Sequence, residues 1–404
     1  MNQISQTSAR LKLSLLVALC ALPSCLEGFA IIWGERHGLT GKALRDGLDF
    51  WAGGFLALNH QLPILFDHTA YQSFLQGIYG KLPYHLWSYP PTYLLLATAF
   101  GWLAPWHAVL AFDAFSLLAL ALALRLAQKS WWFTAAVLLA PASLESVLEH
   151  QNAALLTALI GGGLLLSARR PRLGGILIGL ATIKPQLGLV LPLHLLRRAP
   201  AAFAYAALAA TLLAAASLQA LGPAAWNGFL HFTSPAMTNV LLTGHPRAFS
   251  NGLISVFALA RPLGLHPALL IQAAATLAAI AAGAQTRSVP ALLILSALAS
   301  PYLHDYDLLA ISLAVALIVE SRLRTGFAPL EPVLLFLAWF GPGVLPWAPR
   351  YAHAVPLILV LLLASAWRRG GVPACDSSQA PPVSPASPAG QLPTPVPPGS
   401  TAPG

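Results

Sequence analysis

Charge is what this sequence has least of. Only 9% of its 404 residues are charged, against about 25% in an ordinary soluble domain, so most of the chain cannot present a solvated globular surface. Cysteine is nearly absent. Cys20 and Cys25 lie in the first apolar run and Cys375 near the C-terminus, which leaves no disulfide framework and no metal-type cysteine spacing. The chain also lacks a phosphate-binding glycine loop, a helical zinc motif, an internal repeat and any stretch that reads as a soluble domain. Alternating strand patterns are missing as well, which excludes a membrane β-barrel.

What the chain has is apolar sequence. Hydrophobic residues make up 57%, in recurring runs of 15–23 residues, where a bilayer core needs about 20 in a helix. The expected fold is all-α: a polytopic helical membrane protein of roughly 10–13 transmembrane or re-entrant helices. Net charge is +9, from 22 basic and 13 acidic residues. The basic residues cluster between spans, as the positive-inside rule expects. They specify topology and do not point to nucleic acid.

Taken in order, residues 12–33 read as an uncleaved first span after a polar cytoplasmic start. Residues 34–88 form an external loop, with interfacial helices near 42–60 and 68–80. Tyr89-Pro90-Pro91 opens the next apolar run, to Trp102, and further spans follow at 107–127, 131–148 and 153–168. Strict alternation cannot place Arg125 and Lys129 inside if both 89–104 and 107–127 cross, so one of the two is re-entrant or miscounted. Residues 173–196 have basic groups at both ends and Lys184-Pro185-Gln186 in the middle. Twenty-four residues are too few for two crossings and proline breaks a helix. Two half-helices meeting at a polar apex, or one kinked span, fit that pattern. Residues 200–221 cross outward and 222–252 form a second external loop. A short helix over 250–262 and spans at 266–286, 289–300, 305–320, 327–347 and 350–367 complete a domain of residues 1–369. Residues 370–404, rich in Pro, Ala and Ser, are expected to be a disordered cytoplasmic tail.

The polar residues of this scheme gather on the external side: Asp49, Asp67, Tyr89, Glu149, His150, Gln151, Asn152, Asn251, His304, Asp305 and Asp307, with Lys184 pointing the same way. An ionisable group at membrane depth is a functional candidate by default. Arg45-Asp46-Gly47-Leu48-Asp49-Phe50-Trp51 places two carboxylates three residues apart, on one face of a helix. A carboxylate just outside the first span suits a catalytic base at the membrane surface; an interfacial helix with an Arg45–Asp49 pair is the plainer reading. Asp305 equally suits a cap for the helix that follows. His304 suits a proton acceptor, and Lys184 either pairs with a carboxylate or holds a phosphate. Asp113, inside a span, is expected to bond a neighbouring helix. No metal site is assigned.

An Asp-Phe after span one, Tyr89-Pro90-Pro91, Gln151-Asn152 before a small-residue helix, Gly174-Gly175 through Gly179-Leu180-Ala181 to Lys184-Pro185-Gln186, and Ser300-Pro301-Tyr302-Leu303-His304-Asp305-Tyr306-Asp307 form a recognisable series. From residue 12 to 367 the chain resembles glycosyltransferase family 87, the polyprenol-phosphate-mannose-dependent mannosyltransferases, which are similar in architecture to the GT-C enzymes. The resemblance implies a multi-pass enzyme of the plasma (inner) membrane with an extracytoplasmic active site and no cofactor. It implies transfer of a hexose, mannose first, from a polyprenyl-phosphate donor to a glycolipid or glycan acceptor. It assigns catalysis to Asp49 and His304. Lys184, Gln151, Asn152, Tyr89, Gln186, Asn251, Asp305 and Asp307 are then candidates for substrate binding. Many relatives carry Gly before the Gln, where this chain has His150. A transporter or flippase for lipid-linked sugars, or another GT-C-like transferase, is the alternative; the missing repeat and the one-sided polar groups speak against transport.

Overall fold

The structure is a computed structural model that describes Phe29 and residues 44, 46–80, 82, 84–245, 252–345 and 349–368. The expected first span, Asn251 and the tail lie outside these residues. Among the described residues the chain is all helix, apart from one isolated antiparallel bridge between Leu253 and His304. The fold is that of an all-α polytopic membrane protein.

Three short helices come first: α1 Gly47–Leu58, α2 Leu62–Phe66 and α3 His68–Tyr79. Asp67 caps α3, accepting the backbone N–H groups of Thr69 and Ala70 at 2.9 Å, which satisfies donors a helix start leaves open. Next come α4 Pro91–Thr98, α5 Pro105–Leu126, α6 Trp131–Leu138 and α7 Pro141–Leu148. At 1.5 Å per residue the eight residues of α4 reach about 12 Å, too short to cross a hydrocarbon core of about 30 Å. Residues 89–104 are therefore not a crossing, and α5, with 22 residues, is. That resolves the conflict over Arg125 and Lys129. The chain turns after α4 because its end meets α1 backbone to backbone: a Cβ on Gly54 or Gly101 would collide with the facing main chain. Trp51 Nε1 donates to the Leu103 carbonyl at 3.1 Å and ties the turn to α1.

The helix α8 Ala153–Ser167 lies near the centre. Leu313 packs where a side chain on Gly161 would go, Ala123 at Gly162 and Ile178 at Gly163. Small residues let three neighbours approach one helix, and in a membrane such packing replaces the hydrophobic driving force. After it the segment 171–198 is broken as its proline and basic ends suggest: α9 Pro171–Leu180, two 3₁₀ turns flanking Lys184, then α10 Leu191–Arg198. The long helix α11, Pro200–Thr243, bends at Gly222, whose φ is 74°, with Pro223 starting the second part. The connection expected from residue 222 is thus helical to Thr243; the Gly-Pro pair is a corner between helices. Gly228 beyond the corner lies on the Phe66 ring.

The remaining helices are α12 Val256–Ala260, α13 Leu265–Gly283, α14 Val289–Ala299, α15 Leu309–Thr325, α16 Glu331–Phe340 and α17 Val355–Arg368. Among the described residues three helices are long and apolar enough to cross a membrane, α5, α11 and α13, and a fourth if α6 and α7, bent by 49°, are counted as one span.

The basic connections meet at one end of the bundle. Lys129 Nζ lies 2.6 Å from Glu320, Arg169 bonds Gln128, and Arg198 donates to the carbonyls of Ala284 and Gln285 at 3.2 and 2.8 Å. Arg322 Nε meets both oxygens of Glu331 at 3.0 and 3.2 Å, and Glu331 also accepts the Ala328 N–H and the Ser365 hydroxyl at 2.9 Å. Both members of that pair are buried. Glu331→Ala should lower stability by about 3–5 kcal/mol, because it strands a buried guanidinium. Arg322→Met combined with Glu331→Leu should melt, in detergent, above either single variant. A double variant no better than the worse single would show that the pair is not coupled.

Candidate active site

The residues opposite the basic end come from several segments distant in sequence. About 22 Å of helix, the turn at Asp307 and then α15, separates Asp307 from Arg322. Asp46 stands just before α1, and its Oδ2 accepts the Gln151 Nε2–H at 2.5 Å. The other end of that amide, Gln151 Oε1, accepts the Tyr89 hydroxyl at 3.1 Å. Gln151 is buried, whereas Asp46 is exposed. A buried amide thus presents a carboxylate to the open side of the cluster. The Asp46 charge also acts on Tyr302 and Asp305, raising both.

That segment is held by backbone. The Ile254 N–H donates to the Leu303 carbonyl at 2.9 Å and the Asp305 N–H to the Gly252 carbonyl at 3.3 Å. His304 is buried. Its ring stacks on Tyr306, with centroids 5.0 Å apart and planes 2° from parallel, and lies 4.9 Å from the ring of Tyr302. Asp305 is half-buried; burial, with the charges of Asp307 and Asp46 adding and backbone hydrogen bonds opposing, lifts its carboxyl to about 6. Asp307 has both oxygens engaged. Oδ1 meets Lys184 Nζ at 2.6 Å, and Oδ2 accepts the His304 N–H at 3.2 Å. Lys184 and Asp307 are both buried, where a lone charge would be strongly unfavourable. Lys184 also lies 5.1 Å from the Tyr306 ring centroid. The broken segment 171–198 therefore delivers its cation to the turn that opens α15.

Asp49 takes different partners. Oδ1 accepts the Tyr71 hydroxyl at 2.7 Å, and His85 Nδ1 lies 3.0 Å from Oδ2. The His85 backbone N–H donates to Gln72 Oε1 at 2.9 Å. Asp49 thus binds α1 to α3 and to the segment leading into Tyr89. Burial, with the Asp49 charge adding, pushes the Tyr71 hydroxyl well above its usual range. Burial pulls His85 down, but the charge and hydrogen bond of Asp49, with a contribution from Asp46, raise it overall. Among the described residues the partners of Asp49 are Tyr71 and His85, and His304 is not one of them; Asp46 is instead bound to Gln151.

Of the other candidates, Asn152 is fully buried beside Tyr93, and Gln186 is half-buried in the turn after Lys184. Asn251 lies outside the described residues. Asp113 bonds a neighbouring element, as expected inside a span: its Oδ2 is 2.6 Å from His150 Nδ1. Sequence spacing gave no signal for Tyr71 and His85, since nothing local marks them as partners of one carboxylate. Tyr302 and Tyr306 were visible only as part of the 300–307 motif. No group of three or more His, Cys, Asp or Glu side chains among the described residues is placed to hold a metal ion.

An apolar cavity of about 350 Å³ opens next to the cluster. It begins at Leu308, the neighbour of Asp307, and runs between α15, α16 and α17 past Ile311, Phe336, Phe340, Val355 and Ile358.

Residues 87–319 match the sequence profile described as glycosyltransferase family 87. This is more than half the chain. It contains Tyr89, Gln151, Lys184 and the 302–307 segment but neither Asp46 nor Asp49. None of the curated proteins and none of the solved structures compared with the chain matches it.

Proposed function

Because the chain belongs to glycosyltransferase family 87, it is a membrane glycosyltransferase, and we propose that it moves a hexose, mannose first, from a polyprenyl-phosphate donor to a glycolipid or glycan acceptor. The observation that carries the mechanism is the exposed Asp46 carboxylate, held by buried Gln151 and acting electrostatically on Tyr302 and Asp305. Asp46 accepts the proton of the acceptor hydroxyl as that oxygen attacks the anomeric carbon. The bond from that carbon to the phosphate oxygen breaks in the same step, the anomeric centre inverts, and polyprenyl phosphate leaves. Charge grows on the departing phosphate, and Lys184 is the nearest buried cation to the cluster. Its ammonium has three donors, of which Asp307 engages one. The apolar cavity beginning at Leu308 suits the first isoprene units of the donor, because a pocket of some 300 Å³ or more takes a ligand of that size.

His304 and Asp305 line the acceptor side in this reading, with His304 held flat against Tyr306. The basic connections at the far end favour a cytoplasmic position for that end. The cluster then faces the extracytoplasmic side of the plasma membrane, where a lipid-linked donor is presented. Membranes expressing the protein should transfer labelled mannose from polyprenyl-phosphate mannose to a lipid or glycan fraction, and control membranes should not. Label that crosses the membrane on its carrier without being transferred would favour the flippase reading and overturn this one.

A further inference from the structure

His150 has a backbone φ of 51°, in the left-handed region that favours glycine over a branched or bulky side chain. It follows α7 and its C-cap Glu149. The His150 N–H donates to the Val147 carbonyl at 3.1 Å and the Gln151 N–H to the Ser146 carbonyl at 2.7 Å. Those two bonds are the paired closure of a helix end that ends in a left-handed residue, a position normally given to glycine. Here a histidine occupies it, and the side chain has somewhere to go. Its Nδ1 lies 2.6 Å from Asp113 Oδ2 on α5, with both side chains largely buried. The Trp106 ring stands nearly perpendicular to the His150 ring, with centroids 6.3 Å apart. A charge-assisted contact of this kind is short and directional.

The residue after this corner is Gln151, which holds Asp46 and Tyr89. The start of α1 also packs close to this corner. A Cβ placed on Gly47, the residue next to Asp46, would come within 2.7 Å of the His150 Cβ, so the start of α1 lies directly on His150. We infer that Asp113 and His150 form a positioning pair, which locks the left-handed corner after α7 and so aims the Gln151 amide at the Asp46 carboxylate. Neither residue touches the reacting atoms. The inference rests on the assignment of Asp46 as the base for its catalytic meaning, but its geometric content stands independently.

Glycine adopts the corner without the contact, and this separates positioning from general support of the fold. In labelled-mannose transfer, Asp113→Ala and His150→Ala should each lower kcat about tenfold or more with KM for the donor changed less than threefold. His150→Gly should stay within about threefold of the parent. Asp113→Ala added to His150→Gly should cause no further loss, because the corner no longer depends on that carboxylate. A purely structural role would leave Asp113→Ala harmful in both backgrounds, and that result would overturn the inference.

A second measurement needs no activity. With Cys20, Cys25 and Cys375 replaced by Ser, cysteines are placed at 46 and 151 and joined by a short bifunctional thiosulfonate. Cross-linking should slow about tenfold with Asp113→Ala and return to the parent rate when His150→Gly is added. Equal rates in all backgrounds would overturn the inference, whatever the transfer assay shows. If the cross-linking pattern holds but the parent transfers no sugar from any polyprenyl-phosphate donor, the positioning pair stands and the proposed reaction falls.

Discussion

Asp46→Asn should lower sugar transfer by roughly 10²–10⁴-fold, the usual range for loss of a general base, with the melting temperature in detergent nearly unchanged. The substitution keeps the size of the side chain and an oxygen to accept the Gln151 amide, so only the base is lost. Asp49→Asn should do the reverse. It keeps an acceptor for Tyr71 but ends the attraction for His85, so the melting temperature should drop while transfer per folded molecule stays within about tenfold. The pH dependence carries a further sign. Burial opposes charge on His85, but Asp49 holds its folded pKa above the ordinary 6.5. The stabilisation from this pair is therefore fully present below about pH 6.5 and is lost as pH rises through the raised folded value. That slope should reverse in Asp49→Asn, where burial is left to lower the His85 pKa and stability then rises with pH. An inactive Asp49→Asn that melts normally, beside an active Asp46→Asn, would return the base to Asp49.

Lys184→Met is expected to harm both folding and transfer, and a double variant separates the two. Removing the ammonium leaves Asp307 buried without its partner, a loss of about 3–5 kcal/mol when one member of a buried pair is deleted. Asp307 also accepts the His304 N–H, so the turn that carries His304 should loosen. Lys184→Met with Asp307→Asn removes both charges and keeps the backbone acceptor, so most of the melting temperature should return. Transfer should remain low if Lys184 also steadies the leaving phosphate. Full recovery of transfer in the double variant would show that Lys184 serves only to neutralise Asp307, and that the phosphate is held elsewhere.

Some of this was legible in the sequence because it depends on local properties. Nine per cent charge and long apolar runs already require a membrane helix bundle, since few other folds can satisfy the backbone of such segments. A proline beside a lysine between two basic ends marked the break at Lys184, which the structure places between two 3₁₀ turns. The motif series led to the family. Whether residues 89–104 cross was left open by hydropathy, which cannot see that α4 packs on α1 through Gly54 and Gly101.

Which of the two carboxylates takes which partners was not legible. Asp46 and Asp49 lie three residues apart, and helical spacing puts them on one side of a helix. Their partners come from elsewhere in the chain: Gln151, 105 residues away, for Asp46, and Tyr71 and His85, 22 and 36 residues away, for Asp49. The ion pair of Lys184 with Asp307 spans 123 residues. Hydropathy, helix breaks and basic flanks act over a few residues, so the sequence by itself determined the class of protein, the broken segment and the family. A buried charge is settled by whichever opposite charge or donor the packed helices bring within about 3 Å of it, and only the tertiary structure decided that one aspartate faces outward on Gln151 while its neighbour binds three segments together.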